Sequence, residues 1–470
     1  MRAKDANMGY LVSIVLVTII GGLLFGYDTA VVSGAEQALD MFFASSKGFV
    51  YTSLLHGFTV SSALIGCVIG GAVSGFVSGH LGRKKSLLIA GILFLCSAIG
   101  SSYPESGLLP YGEPSAALLA AFNFYRILGG VGVGLASAVC PMYISEISPK
   151  DIRGTLVSCN QFAIIFGMLL VYFVNYIIRV NLGDTAEAIR AAMVEIGWRK
   201  MFFSETIPAA ALCILVLFIP ETPRYQVLSG NCESALKTLV RINGKEEGAS
   251  VLEEIKASVH EKRESLLTYG AGVIAIGALL SFFQQAIGIN VVLYYAPRIF
   301  ETLGSSSDAS MVQTVVMGVV NIIFTLVAIF TVDRFGRKPL LIVGSIGMMT
   351  GMVALAVFSF MDAIGIGALV FIIIYTASFM MSWGPVCWVL ISEIFPNTIR
   401  SQAVAVAVAV QWVSNFLVSA TFPSLSSWSV GGTYLIYAAM SLLSMIFVYR
   451  FVPETKGKSL EDMSSLWKRR

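Results

Sequence analysis

The chain has 470 residues, of which 56% are hydrophobic and only 13% charged, and its mean hydropathy is +0.80. Soluble globular proteins run at about 45–50% and about 25%, so a soluble enzyme is excluded and a polytopic membrane protein is implied. A net charge of +3, with no basic run interleaved with aromatics, gives no support to nucleic acid as a partner.

A helix needs about 20 mostly apolar residues to cross a bilayer. Charge-poor windows of that length predict twelve spans, at 9–35, 53–79, 86–104, 116–142, 155–178, 200–220, 268–296, 309–332, 339–361, 365–391, 401–422 and 430–450. The opening Met1-Arg2-Ala3-Lys4 precedes an apolar run too long for a signal peptide and without a clear small-residue cleavage site, so it leads into the first span. Pro423 and the Ser and Trp residues after it divide the last two spans, which otherwise form one uncharged run. Between six spans and six lies a charged segment, 223–264, in which Leu236, Leu239 and Val240, then Val251, Leu252 and Ile255, recur at helical spacing. Short amphipathic helices on the cytoplasmic face are the expected form, with a plain solvated linker as the alternative. The organisation is thus 1–222, 223–264, 265–452 and a tail, 453–470.

Lys and Arg fix the orientation. Arg83, Lys84 and Lys85 follow the second span, Lys150 and Arg153 the fourth, Arg334, Arg337 and Lys338 the eighth, and Arg400 the tenth, with Lys468, Arg469 and Arg470 at the end. These are alternate loops on one face, and the positive-inside bias places that face and both termini in the cytoplasm of a plasma (inner) membrane protein.

Three motifs recur in the same order in the two halves. Gly82-Arg83-Lys84 matches Gly336-Arg337-Lys338, Ile144-Ser145-Glu146-Ile147 matches Ile391-Ser392-Glu393-Ile394, and Pro220-Glu221-Thr222 matches Pro453-Glu454-Thr455. Such matches at corresponding helix ends argue for two six-helix halves related by a pseudo-two-fold along the membrane normal, with substrate handled between them. Glu146, Arg153, Glu221 and Arg224, with Asp333, Arg337, Glu393, Arg400 and Arg83, are expected to form a cytoplasmic gate of ion pairs that closes in one state and separates in the other. Charge that only sets topology is the alternative.

The seven Cys show no paired spacing, the three His (His56, His80 and His260) are scattered, and no metal motif or phosphate-binding loop occurs. No cofactor, metal or catalytic constellation is expected, and the chain is not read as an enzyme. The run Gly130-Val131-Gly132-Val133-Gly134 lies inside an apolar helix, so close helix packing accounts for it, as for Gly66, Gly70, Gly71, Gly75 and Gly79.

These motifs, with Gly21-Gly22-Leu23-Leu24-Phe25-Gly26-Tyr27-Asp28, Gln284-Gln285-Ala286-Ile287-Gly288-Ile289-Asn290 and Pro453-Glu454-Thr455-Lys456-Gly457, resemble the sugar porter family of the major facilitator superfamily over nearly the whole chain. Asn160-Gln161-Phe162-Ala163-Ile164-Ile165-Phe166-Gly167 and Ser382-Trp383-Gly384-Pro385-Val386-Cys387-Trp388 resemble in particular its bacterial branch of D-xylose:proton symport. The resemblance implies an all-α major facilitator fold of twelve transmembrane helices. It also implies a monosaccharide and a proton as cargo, alternating access, and a monomer in the lipid bilayer.

Asp28, Arg126 and Glu205 are the charges placed inside spans, and a charge there is costly enough to face the bundle interior, pair, or mark an ion path. A static Asp28–Arg126 pair is the alternative to proton coupling; the resemblance favours coupling, because proton-coupled members carry this Asp. A sugar's hydroxyls each donate and accept, so its site needs neutral amides and aromatics. Gln161, Gln284, Gln285, Asn290, Asn321, Trp388, Gln411 and Trp412 supply that set within the spans, and Phe25 and Tyr294 fit as stacking or gating aromatics, with helix packing as the alternative role. Two departures stand out. After Phe166-Gly167, where xylose symporters carry a further Gln, this chain has Met168, as glucose facilitators have an apolar residue, which makes a hexose plausible. Gly79-His80 replaces the usual acidic or amide residue and Arg, which predicts a weaker first-half gate. The expected function is therefore a sugar:proton symporter for D-xylose or a related pentose or hexose, against a passive uniporter or a non-transporting sensor.

Overall fold

The computed structural model describes residues 7–149, 152–258, 265–361, 366–396 and 399–456, and among these there is no strand. Five uninterrupted helices open the chain: α1 (Met8–Ala44), α2 (Ser53–Leu81), α3 (Arg83–Ser102), α4 (Ala116–Ile147) and α5 (Arg153–Val180). The sixth crossing is built in pieces, α6 (Ala186–Ala192), a π-turn at Met193–Gly197, α7 (Trp198–Ser204) and α8 (Thr206–Val216). Three linker helices follow, α9 (Pro223–Leu228), α10 (Cys232–Asn243) and α11 (Lys245–Ser258). The second half comprises α12 (Ala271–Ala286), α13 (Ile289–Tyr294), α14 (Ala296–Thr302), α15 (Ser307–Phe335), α16 (Arg337–Phe360), α17 (Ile366–Met380), α18 (Trp383–Ile394), α19 (Arg400–Trp428) and α20 (Val430–Phe451).

Eleven segments among the described residues are long and apolar enough to cross a membrane. The one expected crossing not among them, the sixth, is interrupted at Glu205, because Pro208 has no N–H to offer the Ser204 carbonyl one turn back. Together α7 and α8 still rise about 28 Å, close to the hydrocarbon thickness. The seventh crossing breaks at Gly288, whose φ of 89° only glycine adopts freely, and the tenth breaks at Met381 and Ser382. Two boundaries differ from expectation. Helix α1 continues to Ala44 rather than ending at 35, and α19 runs through Pro423 to Trp428, so the last two crossings divide at Ser429, whose Oγ caps α20 by accepting from the Gly432 N–H at 3.0 Å.

The linker helices fold on themselves as the spacing predicts, with Ala235, Leu239 and Leu252 buried beneath Val227, Leu236, Val251 and Ile255. Arg241 of α10 stacks on the Tyr10 ring of α1 at 3.8 Å, which ties the linker to the end of the bundle where the chain begins. This is called the linker end below, and the opposite end the far end. Residues 259–264 and 457–470, including His260 and the basic end of the tail, lie outside the described residues, as does Lys150.

Close helix contact explains some of the expected glycines and not others. A Cβ on Gly66 would sit 1.9 Å from the Ile127 carbonyl oxygen, and one on Gly130 1.7 Å from that of Ala63, so α2 and α4 touch backbone to backbone. Gly75 and Gly79 have nothing within 4 Å and serve no such contact.

The three repeated motifs, far apart in sequence, meet in one unit at the linker end of each half. In the first half, Glu221 accepts from the N–H groups of Arg83 and Lys84, capping the start of α3, while Thr222 Oγ1 donates to Glu146 at 2.7 Å and Arg83 pairs with Glu146 at 2.8 Å. In the second, Glu454 caps α16 through Arg337 and Lys338, Thr455 Oγ1 donates to Glu393 at 2.6 Å, and Arg337 pairs with Glu393 at 2.8 Å. Gly82 and Gly336, with φ of 90° and 92°, leave room for the two capping carboxylates. Carboxylates at helix N-termini satisfy orphan N–H groups and complement the helix dipole.

Burial raises the Glu221 carboxyl and prevails over the same bonds. At Glu454 burial again pushes upward, but N–H groups of Lys456, Arg337, Lys338 and Thr455 outweigh it and hold the carboxyl below its ordinary value. A folded value below the unfolded one gives stability that is fully present above about pH 4.3 and is lost as pH falls through the folded value. Glu454→Gln is therefore expected to cost about 1 kcal/mol at neutral pH. Thermal melts in detergent check this: the gap between variant and wild type closes on acidification, and a gap that persists at the acid end would contradict the cap.

Candidate functional site

Asp28 of α1 and Arg126 of α4 meet in the interior of the first half, at 0% and 1% exposure. Nη1 of Arg126 is 2.6 Å from Asp28 Oδ1, and Nη2 donates to the Asp28 carbonyl at 3.1 Å. The pair is enclosed by small residues: a Cβ on Gly129 would lie 3.3 Å from Asp28 Oδ1, and the Phe202 ring of α7 covers the guanidinium at 5.2 Å. Glu205, at the break between α7 and α8, is also fully buried, near enough to feel the charges of both Asp28 and Arg126. Neither of its oxygens meets a hydrogen-bond donor, and Asp28 Oδ2 is likewise unmet. The Arg126 guanidinium thus binds Asp28, and a second carboxyl, that of Glu205, is buried near the pair without a bond to it. An unpaired buried charge costs several kcal/mol, so this trio holds a proton most cheaply when one carboxyl is neutral.

The amides gather on the second half. Gln284 of α12 donates Nε2–H to the carbonyls of Trp383 and Gly384 at 2.9 and 3.2 Å, while its Oε1 accepts from Gln411 Nε2 at 2.6 Å and from Gln285 Nε2 at 3.4 Å. Asn290 donates to Gln285 Oε1 in turn. Asn415 of α19 donates to the Tyr294 hydroxyl at 3.3 Å. Among the described residues, Gln411 Oε1 and Trp412 Nε1 of α19, Ser281 Oγ of α12, Tyr437 OH of α20 and Asn321 Oδ1 of α15 are buried with no partner within the protein. Unmet buried acceptors and an indole donor suit a ligand that both donates and accepts.

The halves join at this level. The Phe25 ring of α1 lies 5.6 Å from the Trp412 ring of α19, one helical turn before Asp28, and Tyr172 of α5 donates to the Leu293 carbonyl at 3.1 Å. A ligand held by the amides therefore neighbours the helix that carries the carboxylate. Gln161, Met168 and Trp388 are half-buried, on α5 and α18.

The expected gate residues sit at the linker end. The pairs Arg83–Glu146 and Arg337–Glu393 each lie within one half, so neither bridges the halves in this conformation. Glu221 is bound to helix N–H groups, while Arg153 and Arg224 are exposed. The side chains of Asp333 and Arg400 lie outside the described residues. His80 is exposed and turns back onto the Phe76 carbonyl at 2.9 Å. At the far end the halves are tied together, by Arg298 to Glu36 and Asp40, by Gln37 to Glu301 and by Arg179 to Asp308.

Sequence reasoning missed Asn415, although it sits one turn after Gln411 on the same helix face and the i, i+4 spacing was available. It also missed Glu36, a fully buried acid, because the first span was ended just before it.

A family model described as "Sugar (and other) transporter" matches residues 14–467. The chain belongs to this sugar transporter family. It is 49% identical to the D-xylose-proton symporter of Escherichia coli, over 98% of this chain and 96% of that one. It is 37% identical to the glucose facilitated diffusion protein of Zymomonas mobilis, over 99% of each. Among solved structures, the inward-open conformation of the E. coli xylose transporter superposes with a TM-score of 0.87 at 48% identity, covering 97% of this chain and all of that chain. The major facilitator fold, with twelve crossings in two six-helix halves, is therefore that of this sugar transporter.

Removing one partner of a buried ion pair strands the other, at about 3–5 kcal/mol. Arg126→Leu is expected to lower thermal stability sharply, and Arg126→Leu with Asp28→Asn to recover most of the loss. A double variant as unstable as the single one would show that the pair is not the source of the cost.

Proposed function

We propose that this chain imports a monosaccharide together with a proton, by alternating access, across a bacterial plasma membrane with its linker end and both termini in the cytoplasm. The observation that carries the reading is the trio of Asp28, Arg126 and Glu205, a buried ion pair with a second buried carboxyl nearby, placed one turn from the ring contact that joins the halves. A passive carrier has no need of a buried carboxyl without a partner, whereas a symporter needs a site that is stable both with and without a proton. Likeness to a D-xylose-proton symporter supports the same reading.

In this mechanism Asp28 takes the proton when the interior opens to the acidic side, which loosens its bond to Arg126. Arg126 then turns toward Glu205, and the freed α1 adjusts through Phe25 against Trp412. Gln161, Gln284, Gln285, Asn290, Asn321, Trp388, Gln411 and Trp412 hold the sugar hydroxyls and ring faces, with Tyr294 closing over them. The Arg83–Glu146 and Arg337–Glu393 units, with Arg153, Glu221, Arg224, Asp333 and Arg400, act as the cytoplasmic gate. The division into halves at 1–222 and 265–452, the linker at 223–264, the tail at 453–470 and a monomeric state are part of the same proposal.

Uptake of labelled xylose and glucose into proteoliposomes, with and without an inward proton gradient, tests the reading. Wild type is expected to accumulate sugar about tenfold per pH unit for one proton per sugar, and Asp28→Asn to exchange sugar without accumulating it. Wild-type uptake that only equilibrates, whatever the gradient, would make the protein a uniporter.

Met168 offers no hydroxyl partner where an amide would add one, worth about 0.5–1.5 kcal/mol. Met168→Gln is expected to improve competition by xylose against glucose by roughly 2- to 12-fold. An unchanged ratio in competition assays would remove this position from sugar selection.

A further inference from the structure

A second cluster of titratable groups lies at the far end, well away from Asp28, and spans both halves. Glu36 of α1 is fully buried, with Oε2 3.0 Å from Nε2 of His56 on α2, itself fully buried, and 3.3 Å from Nη1 of Arg298 on α14. The same Arg298 nitrogen lies 3.2 Å from Asp40 Oδ2, one turn along α1. The other imidazole nitrogen, Nδ1, is 3.1 Å from the Tyr51 hydroxyl and 3.9 Å from Asp40 Oδ1. Glu36 Oε1 is buried without a partner. Asp40 and Arg298 are only about two-thirds covered, at 35% and 39% side-chain exposure, and so connect the buried His56–Glu36 contact to water.

A carboxylate only accepts, so Nε2 of His56 carries the hydrogen directed at Glu36, and Nδ1 accepts from Tyr51. Burial drives the Tyr51 phenol well above its ordinary range and keeps it a donor. Among the described residues, the remaining groups facing the imidazole are neutral: Tyr295 packs against it edge-on at 6.4 Å, with Phe422 of α19 and Tyr437 of α20 behind. Glu301, one turn beyond Arg298, is engaged by Gln37.

The charges do not balance while His56 is neutral. The first half then presents two carboxylates to a single guanidinium from the second half, and Arg298 is held firmly. A proton taken from far-end water onto Nδ1 gives an imidazolium that serves Glu36 through Nε2 and faces Asp40 through Nδ1. It also sets a like charge close to Arg298. Every contact His56 makes with these acids is inside the first half, whereas every contact of Arg298 with them crosses between halves.

We propose that Glu36, Asp40 and His56 of the first half and Arg298 of the second form a second proton-binding site that latches the far end. With His56 neutral the latch is shut. With His56 protonated, the acids have a cation within their own half, Arg298 is released and the far end opens. Under the orientation proposed above, the far end faces the proton-rich side, so the same acidity that loads Asp28 first uncovers it.

The latch is tested by spin-label distances across the far end, between Ser53 of α2 and Thr302 of α14, each exposed and replaced by Cys. The full-length protein is reconstituted in liposomes, with Cys96, Cys159, Cys213 and Cys232 changed to Ser. Asp28→Asn is included so that the coupling carboxylate does not titrate. From about pH 8 to about pH 5.5, the long-distance population is expected to grow at least about threefold. His56→Gln holds the short distance throughout, and Arg298→Gln, whose side chain is partly exposed and less tied to folding, shows the long distance at both ends of the range. A pH response in His56→Gln equal to the parent overturns the proposal. So does an Arg298→Gln protein that keeps the parent's response, should the His56 variant fail to fold. Acidifying the two membrane faces separately isolates the orientation: a response only to acid on the linker side leaves the latch standing and reverses the topology.

Discussion

A carboxylate and a guanidinium sealed in apolar surroundings constrain the rest of this molecule. Asp28 and Arg126 are each almost wholly buried, and the attraction at 2.6 Å repays their desolvation only while the geometry is kept. Small residues on α4 let α1, α2 and α3 close around the pair, and the break at Glu205 brings a second carboxyl beside it. With two acids and one base, the proposed coupling puts its one proton here. The charge state of the trio and the position of α1 are then linked through the same bonds.

Around that centre the two halves divide the work. The first carries the Asp28–Arg126 pair, the second the bonded amides Gln284, Gln285, Asn290 and Gln411, and they touch through Phe25 and Trp412. At the linker end each half closes its own unit of Arg, Glu, Thr and a capping Glu, a repeated device that makes each half rigid where the helices turn. At the far end charge crosses between the halves instead. The conformation is one shut at the far end, in keeping with its likeness to an inward-open sugar transporter.

Most of the fold was legible in the sequence because a bilayer permits few solutions: apolar windows become helices, and repeated loop motifs become repeated halves. The amides and the Asp28–Arg126 pair were legible too, since polar residues are conspicuous against an apolar background. Other features required the third dimension. Glu36 and Asp40 looked like the start of a loop because charge was taken as the end of a span, yet α1 continues past them and pairs them with partners on α2 and α14. His56 looked isolated for the same reason. Glu221 resembled a gate charge and Glu454 only its repeat in the second half, and their role as caps on α3 and α16 depends on contacts that span more than a hundred residues. Pro423 read as a terminator, but lies inside α19.

The central claim is that sugar moves with a proton, and charge movement tests it most directly. Sugar is added at symmetric pH and zero potential to proteoliposomes adsorbed on a solid-supported membrane. The account predicts a transient current of positive charge in the direction of the sugar, abolished in Asp28→Asn while sugar exchange continues. Sugar entry without current at any pH would contradict it.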